Sequence, residues 1–391
     1  MGQAKNSRLI PAADYDIISD GESLQRFMRT AMQAEIVAVD TEGDSMFHFQ
    51  EKVCLIQIAA NGQTVVVDPL RIPDLAALKP LFESSRICKV FHGADYDVRS
   101  LYRDFGIRIN NLFDTQLASM FLGCKETSLE AVVAKRFGVG LDKRYQKKDW
   151  SQRPLPQEMF TYAASDVTYL VPMAKAISQE LEAKGRLTWV AEECHLLSEV
   201  RPTEENPGPM FLKFKGAGRL GPRQLAVLEA LLQVRSAIAR QKDRPLFKVI
   251  SNAVLGKIAV EQPTSMQKLR ESRALSPRQF NMYAQAVMEA VRNARGIPRS
   301  QLPTYPRRRS PRVSRLVPAR VKVLRAWRDK QAQRLQLDPA LVLNRALIHA
   351  IAVENPSREK GLSSVAGLRP WQFEAFGDAI LDALNAGHIK I

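Results

Sequence analysis

The apolar run Ile36-Val37-Ala38-Val39 ends in two acids, Asp40 and Glu42. In a strand, side chains at i and i+2 share a face, so this spacing holds two carboxylates side by side at the end of a buried strand. Unneutralised, they repel and one keeps its proton. A divalent cation removes the conflict, and hard oxygen ligands suit Mg²⁺ or Mn²⁺. A solvated strand end is the other reading, and these residues alone leave both open. Further acids stand in similar places. Asp97 follows the apolar run Ile87–Phe91 at the start of a helix, and Asp114 sits in Phe113-Asp114-Thr115; each could be an ordinary helix cap. Tyr162 and Asp166 lie at i and i+4, on one helix face, where a simple hydrogen-bonded pair is also expected.

The elements around these residues read as an α/β domain. Strands are expected at 36–42, 53–60, 64–68 and 87–91, from short β-branched runs bounded by turn residues. Helices are expected at 21–33, 75–83, 97–105, 115–122, 128–137 and 156–184, the last interrupted at Pro172. A polar basic loop occupies 138–156. Residues 201–222 are rich in Pro and Gly and mark a linker. Beyond it the pattern is all helical, with helices at 224–240, 248–261, 265–271 and 277–294. A second linker, 296–318, precedes helices at 320–337, 339–354, 361–366 and 370–386. The segments LSPRQFNMYAQAVMEAV (275–291) and LRPWQFEAFGDAILDAL (368–384) share the spacing L-x-P-x-Q-F, which points to a duplicated module. The expected domains are therefore 1–200, 212–295, a basic linker at 296–318, and 319–391.

Charge is divided along the chain. Residues 1–200 carry 23 Lys/Arg against 27 Asp/Glu, whereas residues 201–391 carry 34 against 14, which accounts for the net charge of +16. A slightly acidic half joined to a strongly basic one suits a metal-using catalytic part and a polyanion-binding part. No apolar run approaches the roughly 18 residues of a membrane span, and the N-terminus lacks the apolar core of a signal peptide. The four cysteines are scattered singly without a CxxC pair, so neither a zinc site nor a disulfide framework is expected. A reducing cytoplasm fits.

The order of the acidic segments resembles the DEDD exonucleases in the variant with a tyrosine in the last motif: Asp40-Thr41-Glu42, then KVFHGADYD ending in Asp97, then Tyr162-x-x-x-Asp166. The loop DKRYQKKDWSQRPL (142–155) is similar to the basic loop before the third motif in ribonuclease D and in the exosome's nuclear exonuclease subunit. The helical modules resemble HRDC domains, and two of them after the nuclease is the bacterial ribonuclease D architecture. Gly43-Asp44-Ser45 departs from the aromatic that usually follows Asp-Thr-Glu.

The resemblance implies an RNase H-like α/β exonuclease domain followed by two all-α HRDC domains. It implies hydrolysis of RNA 3′ ends, tRNA precursors among them, with release of 5′-mononucleotides. Asp40, Glu42, Asp97 and Asp166 would hold two divalent ions, with Tyr162 orienting the attacking water. At a phenol pKa of about 10, Tyr162 is a poor base, so orientation is its expected role. His92 is expected to be structural.

Lys143, Arg144, Tyr145, Lys147, Lys148, Trp150 and Arg153 mix cations with rings, a composition suited to a single strand. Arg307, Arg308, Arg309, Arg312 and Arg315 are expected to add phosphate contacts. The enzyme is expected to be a monomer. The competing readings are a DNA exonuclease of the same superfamily and a non-catalytic RNA-binding adaptor.

Overall fold

The structure, a computed structural model, describes residues 14–203, 208–306 and 314–386. Six strands form one sheet: β1 (Asp16–Ile18), β2 (Ile36–Gly43), β3 (Val53–Ala60), β4 (Gln63–Val67), β5 (Cys88–Phe91) and β6 (Leu112–Asp114), in spatial order β1-β4-β3-β2-β5-β6. β3 and β4 are an antiparallel hairpin. Its turn, Asn61-Gly62, has positive φ at both residues, as a two-residue hairpin favours. β1–β4, β2–β5 and β5–β6 pair in parallel.

Eight helices complete this part: α1 (Gly21–Ala31), α2 (Lys79–Glu83), α3 (Asp95–Phe105), α4 (Thr115–Phe121), α5 (Leu129–Phe137), α6 (Gln157–Thr168), α7 (Leu170–Ala183) and α8 (Leu187–Ser198). The short strands β1 and β6, and helix α8, go beyond what the sequence pattern indicates. The break expected at Pro172 falls instead at Tyr169, and Pro172 sits in the first turn of α7. There its missing N–H costs nothing.

The period of β2 sorts its side chains. Val37 and Val39 pack in the core formed with α1 and α3, while Ala38 belongs to the opposite core, with α4 and α7. Asp40 and Glu42 continue the Ala38 face, and Thr41 continues the Val39 face.

Residues 222–296 form five helices: α9 (Pro222–Gln241), α10 (Leu246–Val249), α11 (Asn252–Glu261), α12 (Met266–Glu271) and α13 (Pro277–Gly296). A second set follows: α14 (Val317–Leu335), α15 (Pro339–Val342), α16 (Arg345–Glu354), α17 (Glu359–Ser363) and α18 (Pro370–Ala386). The repeated glutamine explains the shared spacing. Gln279 accepts from the Ser276 N–H and donates to the Val249 carbonyl at the end of α10. Gln372 accepts from the Arg369 N–H and donates to the Val342 carbonyl at the end of α15. In both modules one side chain caps its own helix and ties it to an earlier one.

The chain divides into two compact units. One comprises residues 1–42, 53–202 and 310–391, so the second helical module shares a unit with the sheet rather than standing apart. The shared core is aromatic. Trp189 of α8 stacks on Trp371 of α18 at a centroid distance of 4.7 Å, and Phe121 and Phe376 meet Trp371 edge-on. The Trp371 indole N–H donates to Glu193 and its backbone N–H to Glu192, at 2.8 and 2.9 Å. Buried Arg186 donates to the carbonyls of Phe121 and Leu335, the ends of α4 and α14. Gly123 has no room for a side chain, since a Cβ there would lie 2.3 Å from the Gln336 carbonyl oxygen.

The other unit comprises 43–52 and 203–309. The loop between β2 and β3 thus belongs with the first helical module. Asp243 accepts from the Phe49 N–H and pairs with His48 at 2.7 Å. Lys248 lies over the Phe47 ring and Arg240 over the Phe49 ring. The start of the expected linker also folds onto this module, where Leu302 and Tyr305 pack on its core.

Candidate active site

β2 carries Asp40 and Glu42, and α6 carries Asp166. Carboxylate oxygens from all three lie within 4.8 Å of one another. Asp97 comes from the opposite face of the sheet. It is buried in the first turn of α3, and the Thr41 hydroxyl donates to its Oδ1 at 2.5 Å. The four acids therefore approach β2 from two sides, three grouped together and the fourth tied to the residue between Asp40 and Glu42.

Asp114 organises the approach to Asp97. Its carboxylate accepts from the backbone N–H groups of Gly93 and Ala94, ahead of α3, and from those of Gln116 and Leu117 in α4. The cap expected at Asp114 is present, and it also fixes the turn that delivers Asp97. His92 is held by both ring nitrogens, at 2.9 Å from the Thr115 hydroxyl and 2.8 Å from the Thr127 carbonyl.

Burial raises the pKa of Asp40 well above the carboxylate range, with the charges of Asp97 and Asp166 adding to it. Glu42 is raised in the same way by burial and by Asp40, Asp166 and Asp97. Asp97 is pushed up to about 6 by burial, against the hydrogen bond from Thr41. Asp166 is pushed up to about 7 by burial, against the hydrogen bond from Tyr162. Tyr162 moves further up, through burial and then the charges of Asp166, Glu42 and Asp40, and so stays a neutral phenol. Two buried carboxylates, Asp97 and Asp166, and two half-buried ones, Asp40 and Glu42, with no ion pair to any of them among the described residues, are an oxygen-only donor set of high negative charge. They fit a hard divalent cation.

The cleft in front of this cluster has a volume of about 350 Å³. Asp40, Glu42, Tyr162 and Asp166 line it, with His92, Lys143 and Gln146 among the other lining residues. It lies at the small end of the range for ligand clefts.

The basic loop is only partly as expected. Trp150 is 1% exposed and packs in the core beside Tyr162, with ring centroids 5.9 Å apart. It supports the tyrosine from behind instead of stacking on a base. Arg153 is spent on buried Asp68 in a two-pronged pair at 2.7 and 2.8 Å, and on the Cys54 and Trp150 carbonyls. Tyr145 is half-buried near Tyr162. Arg144 pairs with Asp142 and Lys143 with Glu130. Lys147 and Lys148 are exposed. Arg307, Arg308, Arg309 and Arg312 lie outside the described residues, and Arg315 is exposed.

Removing one partner of a buried ion pair costs about 3–5 kcal/mol. Arg153→Gln is therefore expected to lower the thermal midpoint, whereas Lys147→Gln with Lys148→Gln, at exposed positions, leaves it unchanged. Melting curves on the two variants check this.

Comparison with known proteins agrees with the geometry. The family profile described as a 3′–5′ exonuclease matches residues 15–182, and that of the HRDC domain matches 224–291 and 317–384. Ribonuclease D of Gluconacetobacter diazotrophicus is 31% identical over 384 residues, covering 97% of this chain and 94% of its own. That of Bartonella henselae is 29% identical over 367 residues, covering 92% and 88%. The crystal structure of Escherichia coli RNase D, described as an exoribonuclease involved in structured RNA processing, superposes with a TM-score of 0.72 at 25% identity. It covers 95% of this chain and 99% of that one. The catalytic core of RRP6 from Trypanosoma brucei gives a TM-score of 0.62 at 29% identity over 76% of this chain and 83% of its own.

Sheet, acid cluster and paired helical modules define a hydrolytic 3′–5′ exonuclease with two HRDC domains. The chain belongs to the ribonuclease D family, and its activity is that of a 3′–5′ exoribonuclease.

Proposed function

We propose that Asp40, Glu42, Asp97 and Asp166 hold two divalent cations, Mg²⁺ or Mn²⁺, and that the enzyme removes 5′-mononucleotides from single-stranded RNA 3′ ends, those of tRNA precursors included. The observation that carries this reading is the grouping of Asp40, Glu42 and Asp166 within 4.8 Å, with Asp97 tied to Thr41 beside them. When bound, such cations supply water activation and charge stabilisation for phosphodiester hydrolysis.

The chain's own residues do the rest. Tyr162 stays protonated and hydrogen-bonded to Asp166, so it orients the attacking water and takes up no proton. Trp150 and Tyr145 pack on its ring and fix its direction. Lys143 and Gln146, in the cleft wall, face the terminal nucleotide with one charge and one amide. Exposed Lys147, Lys148 and Arg315 offer phosphate contacts to the strand that follows. Among the described residues no helix is long and apolar enough to cross a membrane. The enzyme acts as a cytoplasmic monomer in this reading.

Tyr162→Phe removes the orienting hydroxyl and keeps the ring, so turnover is expected to fall by about 10²-fold, the scale of one positioned proton-handling group, with cation affinity unchanged. A variant with wild-type turnover would reduce Tyr162 to packing. The reading as a whole is tested by digesting matched RNA and DNA oligonucleotides with Mg²⁺, Mn²⁺ or EDTA. Stepwise RNA shortening that stops in EDTA is expected; equal or faster DNA digestion would move the assignment to the DNA reading, and no digestion would leave the adaptor.

A further inference from the structure

The first helical module holds a pocket of about 440 Å³ whose lining includes Lys213, Arg235, Ser236, Arg240 and Asn252, and no Asp or Glu. Arg235 is its most unusual member. It is 6% exposed, and no carboxylate among the described residues lies within ion-pair distance of it. One guanidinium nitrogen, Nη1, donates to the Ile250 carbonyl and to Asn252 Oδ1, at 3.2 and 2.6 Å. Its Nε is buried with no hydrogen-bond partner. A buried cation without a counter-charge is costly, because desolvation is not repaid by any anion. Burial accordingly lowers the pKa of Arg235. Arginine does not escape that cost by losing its proton, so an uncompensated positive charge stands at the pocket wall.

The rest of the pocket completes the description of that anion. Lys213 and Arg240 are exposed and add two positive charges at the wall, and Ser236 adds a half-buried hydroxyl. Asn252 opens α11, a ten-residue helix, so the positive end of its dipole is also at the wall. Planar guanidinium, ammonium, hydroxyl and helix N-terminus together match a tetrahedral oxyanion with several acceptor oxygens.

We propose that this pocket binds a phosphate group, either of a nucleic-acid strand or free in solution; the strand source alone rests on the exoribonuclease reading. The test uses the full chain in EDTA, so that nothing is cleaved, and two probes: inorganic phosphate followed by phosphorus NMR line width, and a labelled oligoribonucleotide followed by anisotropy. Ser236→Glu and Lys213→Glu place a carboxylate at the pocket wall on exposed or half-buried positions. Lys215→Glu, an exposed neighbour outside the lining, is the control for net charge.

Phosphate broadening is expected with the wild type and the Lys215 variant and is lost in the two pocket variants. A strand phosphate as the occupant adds a several-fold loss of oligonucleotide affinity in the pocket variants, and a salt slope shallower by about 0.7, the increment of one contact on a single strand. Loss of phosphate binding with unchanged oligonucleotide affinity assigns the pocket to free phosphate. No broadening with the wild type, or equal loss in the Lys215 control, overturns the proposal. Failure of the exoribonuclease reading is separate and shows as absence of cation-dependent cleavage by the wild type.

Discussion

Asp166→Asn and Asp40→Asn are each expected to abolish hydrolysis and yet raise the thermal midpoint of the cation-free protein. The first effect follows from a ligand set that acts as a unit, in which losses are not additive. The second follows from proton linkage. Asp166 has a folded-state pKa of about 7 and Asp97 of about 6, against an ordinary value of 3.8, and burial and neighbouring carboxylates raise Asp40 and Glu42 well above their ordinary values too. The folded state therefore binds more protons at this cluster than the unfolded chain does.

With no cation bound, the cluster's contribution to stability is greatest below pH 3.8 and falls as pH rises towards 7. Asparagine removes one buried charge and with it part of that decline. The check is a series of melting curves from pH 5 to 8 in EDTA, read as the difference between wild type and Asp166→Asn. The gap is expected to widen with rising pH and to close or reverse when Mg²⁺ or Mn²⁺ stabilises the wild type. Near-normal turnover of Asp40→Asn with Mg²⁺ would sink the two-cation assignment, and a pH-independent gap would remove the electrostatic account.

Trp371→Ala is expected to cost about 3–5 kcal/mol, the range for truncating a buried aromatic. The residue is 3% exposed, stacks on Trp189, touches Phe121 and Phe376, and spends both its backbone and indole N–H groups on Glu192 and Glu193. Its loss opens an apolar gap and removes the indole donor of Glu193, while the backbone N–H to Glu192 remains. Ending the chain before residue 310 goes further and uncovers Trp189 and Phe121 together, so the shortened protein is expected to aggregate rather than to act as a free-standing nuclease. Soluble, cooperatively melting protein from such a truncation would refute the shared core.

Much of the acid cluster was legible because its geometry is local. Asp40 and Glu42 follow from the period of one strand, and Tyr162 and Asp166 from one turn of one helix. Their meeting across the sheet, with Asp97 approaching from the other face, is tertiary, and only the resemblance to a known nuclease pointed to it. The loop at 142–155 misled for a related reason. Composition cannot distinguish an arginine or tryptophan offered to a strand from one consumed internally, and Asp68, the partner of Arg153, lies 85 positions earlier.

The helical repeat was readable down to its glutamines, since a capping residue and its helix are neighbours in sequence. The aromatic seat of the second module was not, because Trp189 and Trp371 fit an amphipathic helix equally well wherever that helix lies. Gly43-Asp44-Ser45 also makes sense only in three dimensions. Asp44 is 1% exposed and accepts the Lys52 N–H, closing the loop that presents Phe47 and Phe49 to the first module.

That loop also bears on the order in which the molecule can be assembled. The His48–Asp243 pair spans 195 residues, and the Trp371–Glu192 bond spans 179. Contacts at such separations close only after the entropy of a long intervening chain has been given up, and topologies dominated by them fold slowly. During synthesis the strand bearing Asp40 and Glu42 is complete while the partner of its following loop is still unmade. A ribosome that stops short of α18 releases a chain with every acid of the cluster in place and the seam around Trp189 and Phe121 open. Such fragments are expected to aggregate, so use of the acid cluster depends on a helix that is made long after its last acid, Asp166.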